Sequence, residues 1–142
     1  MKRTIFLSLI LALLAGSCTQ EKKPPIEGGW QLVYGNWGSD MTFPNQVTGV
    51  DVKMWANGSF VFAGKYQVDT TKEEGFGWGK YRFIEGNHYE EYVIFHPSES
   101  YVGKTIKMLM EIRNDTLIQQ WPADENWKLE AKHNIEKYVR MK

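Results

Sequence analysis

The titratable side chains of this 142-residue chain are not spaced as a catalytic or metal site would require. His88 and His96 are two of its three histidines, and on an extended strand they would lie about 27 Å apart, too far to share a metal ion. Glu90 and Glu91 are adjacent, so within a strand their carboxylates point to opposite faces. The sequence has no Gly-rich phosphate loop, Gly-x-Ser-x-Gly elbow or His-Glu-x-x-His motif. We predict that the protein is not an enzyme and uses no metal or cofactor; an acid–base pair assembled across the fold stays open as the alternative.

Composition and charge exclude further classes. The 17 Lys and Arg residues balance the 17 Asp and Glu residues, so no excess positive charge is available for nucleic acid. The length allows one domain with a substantial core. Cys18 is the only cysteine, which excludes an intrachain disulfide and a cysteine-based zinc cluster. The six tryptophans and an aromatic content of 14% predict either a densely packed core or an aromatic binding cavity.

The first 17 residues are predicted to be a signal peptide. Lys2 and Arg3 precede the apolar segment Ile5–Ala15, which is too short to span a membrane. Small residues then lead to Cys18, and this arrangement resembles the lipobox of bacterial lipoproteins, although Ala15 stands where Leu is more usual. In that family the chain is cut before the cysteine, which receives a diacylglycerol and an acyl chain such as palmitate. The resemblance implies an anchor in the cell envelope, with the outer membrane preferred; an ordinary secretory signal is the alternative.

Residues 18–27 are predicted to be a lipidated tether, and residues 28–142 the folded domain. The tether is polar and contains Pro24-Pro25, a composition that favours extended conformations of about 3.1 Å per residue. Cleavage before Cys18 removes Lys2 and Arg3 and leaves a slightly acidic mature chain.

Beyond the tether, the apolar pattern has the period of two that is typical of β-strands. Turn pairs at Asn57-Gly58, Gly86-Asn87 and Asn114-Asp115 are spaced 29 and 28 residues apart, the length of two strands with their connections. This spacing predicts an all-β domain of about eight antiparallel strands in up-and-down order. Such a meander closes into a barrel, which removes exposed edges and leaves room for side chains or for one small ligand.

Two-residue turns fix the register of a hairpin, so inward-facing residues can be assigned. The first hairpin predicts two inward cross-strand pairs: Trp55 with Phe60, and Lys53 with Phe62. The third hairpin predicts three: Ile112 with Leu117, Met110 with Gln119, and Met108 with Trp121.

The middle hairpin leaves its inward face open, because neither face is plainly apolar. One face carries Trp78, Arg82, Glu91 and Phe95, and the other carries Gly77, Gly79, Tyr81 and Phe83. We prefer the first face as interior, since Arg82 would lie opposite Glu91 and a buried charge needs a partner. The alternative is that Arg82 and Glu91 form a surface pair of little energetic value.

Gly28-Gly29-Trp30 resembles the Gly-x-Trp motif that begins the first strand of lipocalins. In that family an arginine of the last strand packs over the indole and closes one end of the barrel, which implies a Trp30–Arg140 contact. Residues 28–33, 52–62 and 79–95 are similar to the lipocalin-like domain of lipoproteins from Bacteroides-type bacteria, a family of unknown function. Relatives usually end with a compact strand, whereas the charged tail of this chain, residues 127–142, is longer. It is compatible with a short helix before the closing strand or with strand throughout.

We predict that the barrel binds a small apolar or amphiphilic molecule. The predicted lining is Trp55, Phe60, Phe62, Trp78, Arg82, Glu91, Phe95, Met108, Met110, Gln119 and Trp121. Lys53 adds a polar group, and a neutral ligand is favoured if Glu91 already binds Arg82. Two alternatives stay open: these side chains fill the barrel completely, or the barrel is a rigid interaction module of the envelope with Trp37 as an exposed anchor at its mouth.

Overall fold

The computed structural model describes residues 25–38 and 41–142, which form nine β-strands. The signal peptide, Cys18 and the first part of the tether lie outside the described residues. Within the two described ranges, no helix has the length and apolarity that a membrane crossing requires. The strands are β1 Gly28–Trp37, β2 Thr42–Phe43, β3 Val47–Ala56, β4 Ser59–Val68, β5 Thr71–Phe83, β6 His88–Phe95, β7 Thr105–Arg113, β8 Thr116–Ala123 and β9 Leu129–Arg140.

Eight long strands form a closed antiparallel barrel, which confirms the predicted fold class. Each strand from β3 to β8 pairs with the next strand along the chain. Strand β1 pairs with β3 on one side and with β9 on the other, and so closes the sheet. The two-residue strand β2 pairs only with the end of β1. The tail, which lies within the described residues, contains no helix before the closing strand. Strand β9 runs from Leu129 to Arg140 and pairs with β1 from Trp30↔Arg140 to Trp37↔Asn134.

The first and third hairpins have the predicted register. Asn57 and Gly58 both adopt positive φ angles, 48° and 71°, which allow a two-residue turn matched to the twist of the strands. Trp55 therefore pairs with Phe60, and Lys53 with Phe62. Asn114 also has a positive φ, 54°, and the hairpin around it pairs Ile112 with Leu117 and Met110 with Gln119.

The register predicted for the middle hairpin is wrong by one residue. The amide of Ile84 donates to the carbonyl of His88, so three residues form the loop instead of two, and Arg82 pairs with Glu90. A one-residue shift moves every side chain of a strand to the other face relative to its partner. Glu91 therefore points inward opposite Tyr81, while Arg82 points outward.

The preference for Trp78 and Phe95 as interior residues is also wrong. A register shift between Trp78 and Gly79 lets Trp78 pair with Phe95 on the outer face, where both side chains are exposed. They continue an outward row that runs across four strands and includes Met54 and Val61. The register thus places four apolar side chains side by side on the outer surface of the barrel.

Glycines take the inward positions of β5, and aromatic rings of β4 occupy the space. Phe60 pairs with Gly79 and Phe62 with Gly77, and both rings lie against the glycine backbone. A Cβ at Gly79 would come within 2.1 Å of the carbonyl oxygen of Tyr92 and 2.8 Å of the Phe60 ring. The missing side chains therefore allow close approach of the rings, and they also explain why β5 has no apolar pattern on its inward face.

One end of the barrel is closed as the resemblance implied. The Arg140 guanidinium lies 4.2 Å above the centroid of the Trp30 ring, and it donates to the backbone carbonyls of Pro25 and Glu27. The Trp30 indole donates to the carbonyl of Ile26 at 2.7 Å, and Ile26 and Trp30 are both fully buried. Residues 25–27 thus pack against the folded domain and are not part of the predicted tether.

Arg140→Gln is expected to lower the free energy of unfolding by about 1–2 kcal/mol, because it removes the cation–π contact and charged donors from two backbone carbonyls. Urea unfolding at pH 7 measures this change. Arg113→Gln is the matched control: its side chain is 75% exposed and pairs with Glu111 on the surface, so its effect should stay below about 0.5 kcal/mol. Equal effects of the two variants would contradict a closing role for Arg140.

Candidate functional site

A cavity of about 490 Å³ lies inside the barrel. Its walls are residues of β1 and of β3 to β9, together with Met41, His96 and Tyr101 from the connecting segments. The outer part of the wall includes Trp37 and Val68 at the ends of β1 and β4, Asn134 paired with Trp37, and His96 just after β6, all far from Trp30. The cavity therefore opens at the end of the barrel opposite the closed end, and its volume is in the range of small-molecule sites.

The eleven residues predicted to line a ligand site fall into three groups. Six contribute to the cavity wall: Phe60, Phe62, Glu91, Met108, Gln119 and Trp121. Trp55 and Met110 are buried in the core without lining the cavity. Trp78, Arg82 and Phe95 are on the outer face, for the reasons of register given above. Lys53 lines the cavity, and so does Trp37, which is partly buried and is not an exposed anchor.

A buried ion pair lies on one side of the cavity. The Lys53 Nζ is 2.7 Å from Oε1 and 2.9 Å from Oε2 of Glu91, and both residues are almost fully buried. Tyr89 donates to Glu91 at 2.7 Å and accepts a hydrogen bond from the Trp55 indole at 2.6 Å. Burial raises the pKa of Tyr89 well above its usual value, so its hydroxyl stays protonated. The Lys53 ammonium also lies over the Phe60 ring, 4.8 Å from the centroid. The charge of Lys53 is therefore matched by Glu91.

Three further carboxylates line the cavity, and none of them was predicted from the sequence: Asp51, Glu73 and Glu136. Glu73 is exposed, whereas Asp51 and Glu136 each accept hydrogen bonds from neighbouring side chains. Asp51 accepts a hydrogen bond from the Tyr66 hydroxyl. Glu136 accepts one from the Trp37 indole at 2.8 Å and another from the Tyr138 hydroxyl. All of these donors are uncharged, so the hydrogen bonds orient the carboxylates without neutralising them.

Burial dominates the ionisation of these two acids. The pKa of Asp51 is raised to about 6: burial is the largest cause and the neighbouring charge of Glu136 adds to it, while the Tyr66 hydrogen bond and the charge of Lys53 act in the lowering direction. Burial likewise raises the pKa of Glu136, partly offset by Lys53 and by its two hydrogen-bond donors. Acidic groups with raised pKa values inside a cleft are typical of functional sites.

Gln119 adds an unmatched acceptor. Its side chain is 1% exposed, its amide nitrogen contacts the Met108 sulfur, and it lies directly opposite Glu136 in the β8–β9 pairing. Its Oε1 has no hydrogen-bond partner among the described residues. A buried acceptor without a donor costs free energy, so this oxygen is suited to a donor from a bound molecule.

The sequence contained signals for some of the missed residues. Asp51 precedes Lys53 and Trp55 by two and four residues. Because side chains alternate along a strand, Asp51 shares the inward face that was predicted for these two residues. Glu136 has the same parity as Tyr138 and Arg140, but this signal depends on treating the tail as a strand. Within the described ranges, no group of three or more His, Cys, Asp or Glu residues is placed to hold a metal ion.

Comparisons with protein-family models and with curated proteins give no match for this chain. The similarity to lipocalin-like lipoproteins therefore stays a prediction. Function has to be inferred from the cavity itself, because a barrel fold alone is compatible with many functions. The cavity offers aromatic walls, one internally matched ion pair and several acceptors, a combination suited to binding a molecule.

Proposed function

We propose that the protein is a non-catalytic binding protein whose barrel holds one small amphiphilic molecule in the open-ended cavity. The observation that supports this proposal is an internal space of about 490 Å³ between aromatic walls and ordered polar groups. Phe62 and Trp121 supply apolar surface, while Asp51, Gln119 and Glu136 supply polar contacts. A mostly apolar pocket with a few fixed polar groups is the usual form of a small-molecule site.

We also propose that the mature protein is a lipoprotein of the cell envelope, preferably of the outer membrane. The support is the sequence from Lys2 to Cys18, with a basic start, a short apolar segment and a single cysteine after small residues. Acyl chains on Cys18 would give a stable membrane anchor at about 0.8 kcal/mol per buried methylene. Mass spectrometry of the N-terminal peptide from the native host would show a diacylglyceryl-modified Cys18, and an unmodified cysteine would contradict the anchor.

Binding in the cavity predicts that the protein increases the fluorescence of N-phenyl-1-naphthylamine, a neutral apolar probe, with one site per chain. Val68→Trp should reduce the affinity at least about tenfold, because the larger side chain occupies the cavity near its mouth. Val61→Trp is the matched control, since Val61 lies on the same strand and points outward. Equal loss in both variants, or no probe binding by the wild-type protein, would contradict an internal ligand site.

A further inference from the structure

We infer that the cavity takes an organic cation, a protonated amine on an aromatic or aliphatic body, whose ammonium group binds between Asp51 and Glu136. This inference rests on the proposed function, because it names the ligand class of the same cavity. The cavity wall contains several hydrogen-bond acceptors that could bind an ammonium group. Asp51, Glu136 and Gln119 all line the cavity, and Gln119, whose buried Oε1 has no hydrogen-bond partner among the described residues, lies directly opposite Glu136 across the β8–β9 ladder.

The charges of the wall favour a cation. Lys53 is the only Lys or Arg among the described residues that line the cavity, and both of its short contacts go to Glu91. Neither Asp51 nor Glu136 forms an ion pair with any residue in the described part of the chain. Burial lowers the pKa of His96 at the mouth, so its ring adds no positive charge at neutral pH. With both acids ionised the wall therefore has an excess of negative charge, which a bound ammonium group would balance.

The aromatic rings provide the second half of the recognition. Trp37 donates to Glu136 and Tyr66 donates to Asp51, and the two rings meet edge to face with centroids 6.2 Å apart. The hydrogen bonds thus fix two π-systems beside two carboxylates. A cation between the two carboxylates would gain charge pairing with them and cation–π contacts with the two rings. The body of the ligand would pack on Phe62 and Trp121.

The primary test compares three molecules that share an indole body and differ in charge: tryptamine, tryptophol and indole-3-propionate. Isothermal titration calorimetry of the protein at pH 7.5 measures each affinity, and displacement of N-phenyl-1-naphthylamine confirms a common site. We expect tryptamine to bind at least about tenfold more tightly than tryptophol, and indole-3-propionate to bind most weakly. Equal or tighter binding of the neutral or anionic molecule would overturn the inference.

Variants assign the ammonium site. Asp51→Asn and Glu136→Gln should each weaken tryptamine binding about tenfold and leave tryptophol binding within about twofold. Glu74→Gln, on the outer face of β5 and paired with Lys65, is the control for overall charge and should change neither affinity. Unchanged tryptamine binding in both cavity variants would overturn the assignment of these two residues. Binding of the naphthylamine without any binding of tryptamine would overturn the cation inference and leave the proposed function standing, whereas no binding of any probe would overturn the proposed function itself.

Discussion

Lys53→Met is expected to lower the free energy of unfolding by about 3–5 kcal/mol, the typical cost of removing one partner of a buried ion pair. Methionine has a similar volume, so packing against Phe60 is largely kept. Glu91, which is 3% exposed, would lose both of its contacts with the ammonium and keep only the Tyr89 hydroxyl as a donor. The loss also extends to Asp51 and Glu136, because the charge of Lys53 favours the ionised form of both acids. Urea unfolding at pH 7 measures the change.

The double variant Lys53→Met, Glu91→Gln separates the charge from the packing. It removes both charges, keeps an acceptor for Tyr89, and should recover most of the lost stability. Glu74→Gln, which leaves the exposed Lys65 without its partner, should cost less than about 0.5 kcal/mol. If Lys53→Met costs no more than this surface variant, the pair does not contribute to stability in the way that its burial implies.

Asp51→Asn is expected to stabilise the unliganded protein at pH 7.5 by up to about 3 kcal/mol, the free-energy equivalent of the pKa shift of Asp51. The pKa of Asp51 is raised from 3.8 to about 6, so the native state binds a proton more readily than the unfolded state between these values. The stability that Asp51 contributes is therefore fully present below about pH 4, and it is lost as the pH rises through about 6. Asparagine cannot ionise, and its amide oxygen can still accept the hydrogen bond from Tyr66.

The measurement is the difference in unfolding free energy between Asp51→Asn and wild type, at several pH values between 4 and 8. This difference should grow as the pH rises and level off above about pH 7. Asp69→Asn provides the control: Asp69 is exposed and has a positive φ of 51°, which asparagine tolerates, so this variant should differ from wild type by less than about 0.5 kcal/mol. A less stable Asp51→Asn variant at pH 7.5 would show that ionised Asp51 is not a cost to the fold. A bound cation should offset that cost in the wild-type protein, so stabilisation by tryptamine should increase with pH.

The fold could be predicted from the sequence where turn chemistry determined the register. Asn57-Gly58 and Asn114-Asp115 each close a two-residue loop, and the cross-strand pairs that follow from them are present. Gly86-Asn87 looks similar but belongs to a three-residue loop, and this difference of one residue reverses the faces of β5 relative to β6. The further shift beside Trp78 has no marker in the sequence. Irregularities of this kind depend on tertiary packing, here on the rings that lie over Gly77 and Gly79.

The candidate site was predictable on its apolar side and not on its acidic side. Aromatic residues in alternation indicate an interior, so Phe60, Phe62 and Trp121 could be assigned to it. An alternating carboxylate indicates a solvent-facing side chain unless its partner is known. Asp51 accepts from Tyr66 of β4, and one of the two donors to Glu136 is Trp37 of β1, so these two partners lie on other strands. Tyr66 is 15 residues from Asp51 and is brought to it by the β3–β4 hairpin. Trp37 is 99 residues from Glu136, and only the β1–β9 pairing that closes the barrel brings these two together.

The location of Pro25 beside Arg140 determines how an anchored barrel would be oriented. Cys18 precedes Pro25 by seven residues, which can extend no more than about 25 Å. Acylation of Cys18, as proposed, would keep the end that contains Trp30 toward the bilayer and turn the opposite end away from it. A ligand would then be taken up from, and released to, the aqueous compartment instead of diffusing laterally from the lipid phase. Water-soluble amines would meet Asp51 and Glu136 by that route without crossing any hydrocarbon.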